Sequence, residues 1–94
     1  MSKPSIRKAI PVYKIVFRGR ADKQLQRLQP VDYRRIKQHI DALADDPRPP
    51  GIKKLTGQEG YRLRVGTYRI LYDIDDEARL VTVYRVKHRR DVYR

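Results

Sequence analysis

The chain has no cysteine, no tryptophan, one phenylalanine and one methionine, and its 11 acidic residues are outnumbered by 23 basic ones. Without cysteine there is no disulfide framework, no thiolate metal site and no thiol nucleophile. Ser2 and Ser5, the serines of the chain, both fall in its opening arm, which argues against a serine nucleophile. No apolar run approaches the ~20 residues of a membrane-spanning helix and no secretory leader is visible, so the expected location is the cytoplasm. Gly57-Gln58-Glu59-Gly60 is flanked by neither a helix start nor a Lys-Ser/Thr pair, so it is no phosphate-binding loop. Asp73, Asp75, Asp76 and Glu77 form the one acidic cluster, with no histidine near it, and read as an acidic turn rather than a metal site. Neither metal nor cofactor is expected.

What the chain has instead is positive charge, a net +12 with a pI near 10.4. That balance points to nucleic acid or another polyanion. Its placement is more informative than its size. Residues 1–18 carry +5, 19–46 only +1, 47–72 +5, 73–84 −3 and 85–94 +4. A chain of 94 residues makes one small domain, burying roughly 60–65% of its unfolded surface. Residues 1–11, with two prolines and no period, read as a basic arm, and 12–94 as a single domain.

Val12 to Phe17 is β-branched and aromatic and predicts a strand well covered by the rest of the fold. Ala21, Leu25 and Leu28 form the stripe of a short helix. A second helix starts at Pro30, with Asp32 in its first turn and Tyr33, Ile36, Ile40 and Leu43 on one side, and runs to about Asp45 before Asp46-Pro47. Ile52 to Leu55 can add a short extended piece. Tyr61–Val65 and Tyr68–Ile74 alternate around Gly66-Thr67, a β-hairpin pattern that sets Val65 against Tyr68 and Arg64 against Arg69. After a turn at Asp75–Ala78, Leu80 to Val86 forms the last strand. With an even-numbered turn, Val81 and Val83 face the core and Tyr84 lies beside Arg69; a one-residue bulge reverses the assignment. The expected fold is α+β: a strand, a two-helix hairpin, then a three-stranded antiparallel meander, giving a sheet of about four strands.

Directly opposed residues share a sheet face, so Tyr61, Leu63, Val65, Tyr68, Ile70 and Tyr72 gather on one side and Arg62, Arg64 and Arg69 on the other. Opposed like charges destabilise a sheet, and a sequence that accepts this cost is fitted to an anionic partner, although arginines also mark any solvated sheet face. The chemistry open to such a face is metal-free attack on a phosphodiester. RNA supplies its own 2′-hydroxyl nucleophile, and arginine forks match phosphate oxygens. Proton transfer needs a group with accessible acid and base forms, and His88 and Tyr93 in the basic tail are candidates. His88 can equally be a surface histidine, and Tyr93 can dock the tail or stack a base. His39, between Ile36 and Ile40 on a helix, reads as structural or solvated.

The stretches YKIVF, KKLTGQEGYRLRVGTYRILYDI and VKHRRDVYR resemble RelE-type toxins of bacterial toxin–antitoxin pairs, within the RelE/ParE superfamily. The resemblance covers about residues 12–94. The hairpin pattern G-x-YRLRVG-x-YRI-x-Y is shared across the superfamily, whereas the HRRDVY ending is more specific to the RelE side. The resemblance implies a ribosome-dependent endoribonuclease that cuts mRNA in the A site without metal, leaving a 2′,3′-cyclic phosphate and a 5′-hydroxyl. Arg62 and Arg64 stand where the best-studied member has lysines, Arg69 matches the phosphate-stabilising arginine, Tyr93 the terminal tyrosine, and Lys87 falls near another family arginine. Arginines at 62 and 64 are poor proton acceptors, which shifts proton transfer toward His88, a residue present in many relatives. Lys53, Lys54, Tyr84, Lys87, Arg89 and Arg90 are candidates for holding mRNA and rRNA. The implied partners are a cognate antitoxin, docking on the helical hairpin or the basic face, and the ribosome with its mRNA; no membrane is implied. A ParE-like gyrase inhibitor and a non-catalytic RNA-binding domain are the alternative readings.

Overall fold

The chain forms an α+β unit whose two helices cover one face of a mixed five-stranded sheet. It was obtained as a computed structural model that describes residues 12–89; the basic arm (1–11) and the end of the tail (90–94) lie outside the described residues. The elements run β1 (Lys14–Phe17), α1 (Ala21–Gln26), α2 (Pro30–Ala42), β2 (Lys53–Lys54), β3 (Tyr61–Val65), β4 (Tyr68–Asp75) and β5 (Leu80–His88). The sheet order is β1-β5-β4-β3-β2, with β1 parallel to β5 and every other pairing antiparallel. The strand beyond the four expected is the Lys53–Lys54 pair on β3. β1 is an edge strand, half-buried at best, rather than the well-covered strand its composition predicts.

The helices follow their apolar stripes. Ala21 and Leu25 of α1 and Ile36 and Ile40 of α2 are buried, and they meet Leu63, Val65, Ile70, Tyr72, Val81, Val83 and Val86 from the sheet. Pro30 begins α2, where its missing N–H costs nothing. The helix ends at Ala42, three residues short of the expected Asp45, because the chain tightens there into i→i−3 hydrogen bonds. The amides of Leu43, Ala44 and Asp45 donate to the carbonyls of Ile40, Asp41 and Ala42 at 3.0–3.1 Å. The Ala44 carbonyl then accepts from the amides of Val12 and Tyr13, which fixes the start of β1 against the end of α2.

The hairpin register is the expected one, Val65 opposite Tyr68 and Arg64 opposite Arg69. Gly66 occupies the first turn position with φ +60, the backbone of a type II′ turn, which a side chain would strain. Asp75 pairs with Leu80, so the next turn contains the even number of residues that puts Val81 and Val83 in the core. The ladder then slips. Leu71 faces Arg85 while Tyr72 faces Val83, leaving Tyr84 as the extra residue of a β-bulge. Beyond it Val86, not Arg85, is buried.

Tyr72 is fully buried and donates its hydroxyl to the Pro47 carbonyl at 2.7 Å, tying the α2–β2 loop to the core. Burial raises its pKa well above the ordinary tyrosine value. Tyr61 stacks on it with ring centroids 5.9 Å apart, and the Arg48 guanidinium lies 5.6 Å from the Tyr61 centroid. Arg48 also grips Asp76 through two nitrogens, at 3.2 and 2.9 Å, and the Tyr13 hydroxyl donates to Asp76 at 2.6 Å. This exposed knot joins the residue before β1, the α2–β2 loop and the β4–β5 turn.

Two outcomes are expected. Tyr72→Phe leaves the Pro47 carbonyl without its donor and should lower stability by about 1–3 kcal/mol in urea unfolding. Asp76 is held at about 2, below its ordinary 3.8, by the hydrogen bond from Arg48 first and from Tyr13 second. A depressed carboxylate contributes stability above its unfolded value, and that contribution is lost as pH falls from near 3.8 toward 2. Arg48→Ala should therefore move the Asp76 carboxyl midpoint upward in an NMR titration and bring acid unfolding on at higher pH.

Candidate nucleic-acid interface

Away from the helices, the sheet presents its other face to solvent. Because the pairing sets Arg64 opposite Arg69 and Arg69 opposite Lys87, one row of cations crosses β3, β4 and β5. A second row carries Lys53, Arg62, Leu71 and Arg85 across β2 to β5. Arg62, Arg69 and Lys87 are half-buried and Arg64 is exposed. Among the described residues the ion pairs are Lys37–Asp41 and Arg48–Asp76, so none of these cations is neutralised by a carboxylate there.

The first row borders an open cleft of about 260 Å³ lined by Arg64, Gly66, Thr67, Tyr68, Arg69 and Arg89. Arg89 is placed by its backbone, whose amide donates to the Thr67 carbonyl one step beyond the Tyr68–His88 pair. Gly66 leaves room on its own far side for Arg35 of α2: a Cβ there would stand 3.1 Å from an Arg35 nitrogen. Strand pairing thus brings together Arg62, Arg64, Arg69 and Lys87, with Arg89 at the strand end and the exposed Lys53 and Lys54 on the far edge. Arg90 and Tyr93 lie outside the described residues.

The bulge decides two placements. It sets Lys87 opposite Arg69, where an unbroken ladder would set Val86. Tyr84 shares that face but reaches the other way, toward Gly60 and Asp73: a Cβ at Gly60 would come within 2.8 Å of the Tyr84 hydroxyl and 3.1 Å of the Asp73 carboxylate. Burial first, and the Asp73 charge second, raise its pKa above the ordinary tyrosine value. His88 does not join the arginines at all. With Val86 inward and Lys87 outward, His88 turns to the helix side, edge-on to Tyr68 at 5.0 Å between centroids and 83° between planes. Tyr68 in turn donates its hydroxyl to Asp32 of α2 at 3.3 Å.

The exposed sheet face is not uniform. Its Arg64–Arg69–Lys87 end is basic, while the other end holds a depression of about 520 Å³ lined by Glu59, Asp73, Asp75, Asp76 and Glu77 together with Arg18. Arg85 was missed as a site residue. The signal for it was present, since the apolar positions 81, 83 and 86 break period two at the bulge.

Residues 15–93 match the family model of the ParE toxin of the type II toxin–antitoxin system parDE. Toxin RelG of Mycobacterium tuberculosis is 56% identical over 34 residues, 36% of this chain and 39% of that protein. The fold superposes on the archaeal RelE–RelB complex of Pyrococcus horikoshii with a TM-score of 0.74 at 28% identity, covering 83% of this chain and 96% of that one. It superposes on the RelBE2 toxin–antitoxin complex of Mycobacterium tuberculosis with a TM-score of 0.73 at 32% identity, covering 85% of this chain and 100% of that one.

The opposed cations have a measurable cost. Arg64→Thr replaces one of them by a good strand former and should raise the thermal midpoint at low salt by a few degrees, from roughly 0.2–1 kcal/mol of relieved repulsion. The same change should weaken any polyanion that binds the row.

Proposed function

The chain belongs to the ParE toxin family of type II toxin–antitoxin systems and is a toxin of the RelE type, and from that premise we propose that it is a ribosome-dependent endoribonuclease that cleaves mRNA in the A site. The observation that carries this reading is the unneutralised Arg64–Arg69–Lys87 row beside the cleft at Thr67 and Arg89. In the proposed step the ribose 2′-oxygen attacks the adjacent phosphorus and the bond to the 5′-oxygen breaks. The 2′-hydroxyl proton passes to a base and the leaving 5′-oxygen takes up a proton, giving a 2′,3′-cyclic phosphate and a 5′-hydroxyl. Arg69, central in its row, neutralises the crowded phosphate, with Arg62, Arg64 and Lys87 flanking it; preorganised donors of this kind are each worth about 10²–10³ in rate. Arginine holds its proton too tightly to act as base. His88 faces the helix side, so we assign proton transfer and base positioning to Tyr93, and to His88 the anchoring of the strand end on Tyr68. Lys53, Lys54, Arg89 and Arg90 hold the ribosome-bound RNA.

The neighbours in complex with RelB support a cognate antitoxin as the other partner, an acidic or amphipathic segment covering the basic face or the helical hairpin. Among the described residues no helix is long and apolar enough to cross a membrane; the proposed site of action, the translating ribosome, is cytoplasmic. The ParE name of the matching family favours one second reading, gyrase inhibition.

The purified chain added to programmed ribosomes should cleave at the A-site codon and leave naked RNA largely intact; intact mRNA in growth-arrested cells with a DNA-damage response would select gyrase instead. Arg69→Ala should lower single-turnover cleavage by about 10²–10³ with ribosome binding retained. Tyr93→Phe should be severe, and His88→Ala should leave the pH–rate profile near neutrality in place. A profile flattened by His88→Ala would return proton transfer to the histidine.

A further inference from the structure

At Phe17 β1 ends opposite Val83, and β5 runs on for five residues, to His88, past that point. The chain leaving β1 does not move away. The Arg18 amide donates to the Val83 carbonyl at 2.9 Å, Gly19 takes φ +64, and the turn delivers Arg20 to the start of α1. Gln24 of α1 then uses its side-chain oxygen to accept from the Val86 amide at 2.8 Å, two residues beyond Tyr84 of the bulge. The bulge is thereby clamped with Tyr84 and Arg85 both turned away from the core. Between these parts lies a notch of about 440 Å³, lined by Arg18, Gly19, Arg20, Gln24, Tyr84 and Arg85. Its three arginines are exposed, and no carboxylate among the described residues is paired with them.

We propose that this notch is a second phosphate-binding subsite, which takes the RNA backbone flanking the nucleotide held on the Arg64–Arg69–Lys87 row. The inference rests on the RNA reading above and adds the path of the strand. Arg85 and Lys87 lie on the same face two residues apart, ~7 Å along the strand, so the notch continues the row at the scale of one nucleotide step. The alternative route, straight down the exposed face, runs into Asp73, Asp75, Glu59 and Glu77. Arg18 stands on the border, lining both the acidic depression and the notch, so a polyanion leaving Arg69 is repelled by the carboxylates beyond it and attracted sideways, over Arg85 to Arg20 and the notch side of Arg18. Guanidinium forks suit phosphate oxygens. The bulge supplies what a regular strand would not, because strict alternation would turn either Tyr84 or Arg85 toward the helices.

The test uses the full chain and two fluorescent single-stranded RNAs, a trinucleotide and a dodecanucleotide, with binding titrated against salt. The double variant Arg18→Ala/Arg20→Ala should bind the trinucleotide as the wild type does. It should bind the dodecanucleotide about 10-fold more weakly, with a salt slope smaller by ~1.4, two phosphate contacts at ~0.7 each. Arg85→Ala, on a different element, should show half that loss of slope, and both variants should keep the wild-type circular dichroism. On programmed ribosomes the double variant should raise the half-saturating toxin concentration and leave the saturated cleavage rate within about twofold. An unchanged slope for the long RNA, or equal losses for both RNAs, overturns the subsite while the RNA reading stands. Loss of polyglutamate binding as large as the loss of RNA binding overturns it in favour of an acidic protein segment. Where the wild-type chain binds neither free RNA, an unchanged half-saturating concentration of the double variant on programmed ribosomes overturns the subsite, and absence of cleavage there overturns the RNA reading as well.

Discussion

Across β3, β4 and β5, backbone pairing sets Arg64 against Arg69 and Arg69 against Lys87, three cations held in steps of about 5 Å. In water each neighbouring pair repels by about 1 kcal/mol at such a distance, and by more where Arg69 and Lys87 are half-buried. That cost is small against the layer beneath it. Ile70, Tyr72, Val81 and Val83 on the opposite face are fully buried, and each is worth roughly 1.5–3 kcal/mol of transfer from water. Two such residues offset the row. The sheet can therefore hold a charge arrangement that no short peptide would hold, because the side chains resisting separation lie on one face and those demanding it on the other.

Much of this was legible before any coordinates. The alternation from Tyr61 to Ile74 named both faces of the hairpin and its register, and the stripe through Ile36, Ile40 and Leu43 named the helix side. What failed to read locally was pairing decided by a partner. Ile52 to Leu55 reads as a short extended piece, but its pairing does not read, and Lys53–Lys54 is a strand because β3 has an open edge opposite Arg62 and Tyr61. Nothing in Lys14–Phe17 states that it lies parallel to β5 at the sheet margin. The alternation admits a bulge in β5, and the pairing places it at Tyr84. The run Val81, Val83, Val86 contained its place, since unbroken alternation would bury Arg85 and Lys87. The consequence for the site is large, because that one residue sets Lys87 rather than Val86 opposite Arg69 and turns His88 to the helix side.

The charge along β4 changes sign within a few residues, from Arg69 to Asp73 and Asp75, and Leu71 marks the boundary. Tyr84 sits at this line, its hydroxyl end against Gly60 and Asp73. The acidic end is not passive filler. One of its carboxylates, Asp76, is gripped by Arg48 and Tyr13 and joins the β4–β5 turn to β1 and the α2–β2 loop. The others remain on the surface, and their field shapes what can approach the basic end. A face wholly basic would attract a polyanion in any orientation, whereas a face with two signs fixes a direction.

For the proposed cleavage, direction is what a nuclease without a metal would need, since positioning and charge neutralisation would be its means of catalysis. A phosphodiester must arrive at Arg69 with its 2′-oxygen, phosphorus and 5′-oxygen in line, and one guanidinium cannot impose that alone. The strand must be held on both sides of the reacting bond. The tail that begins at Arg89 is tied to Thr67 at one end of the cleft. The bulge, clamped by Gln24, turns Arg85 toward Arg18 and Arg20 at the other. The same slip in the ladder removes His88 from the face and puts Lys87 there, so a single inserted residue both selects the cations beside the proposed phosphate position and opens the proposed route for its neighbours.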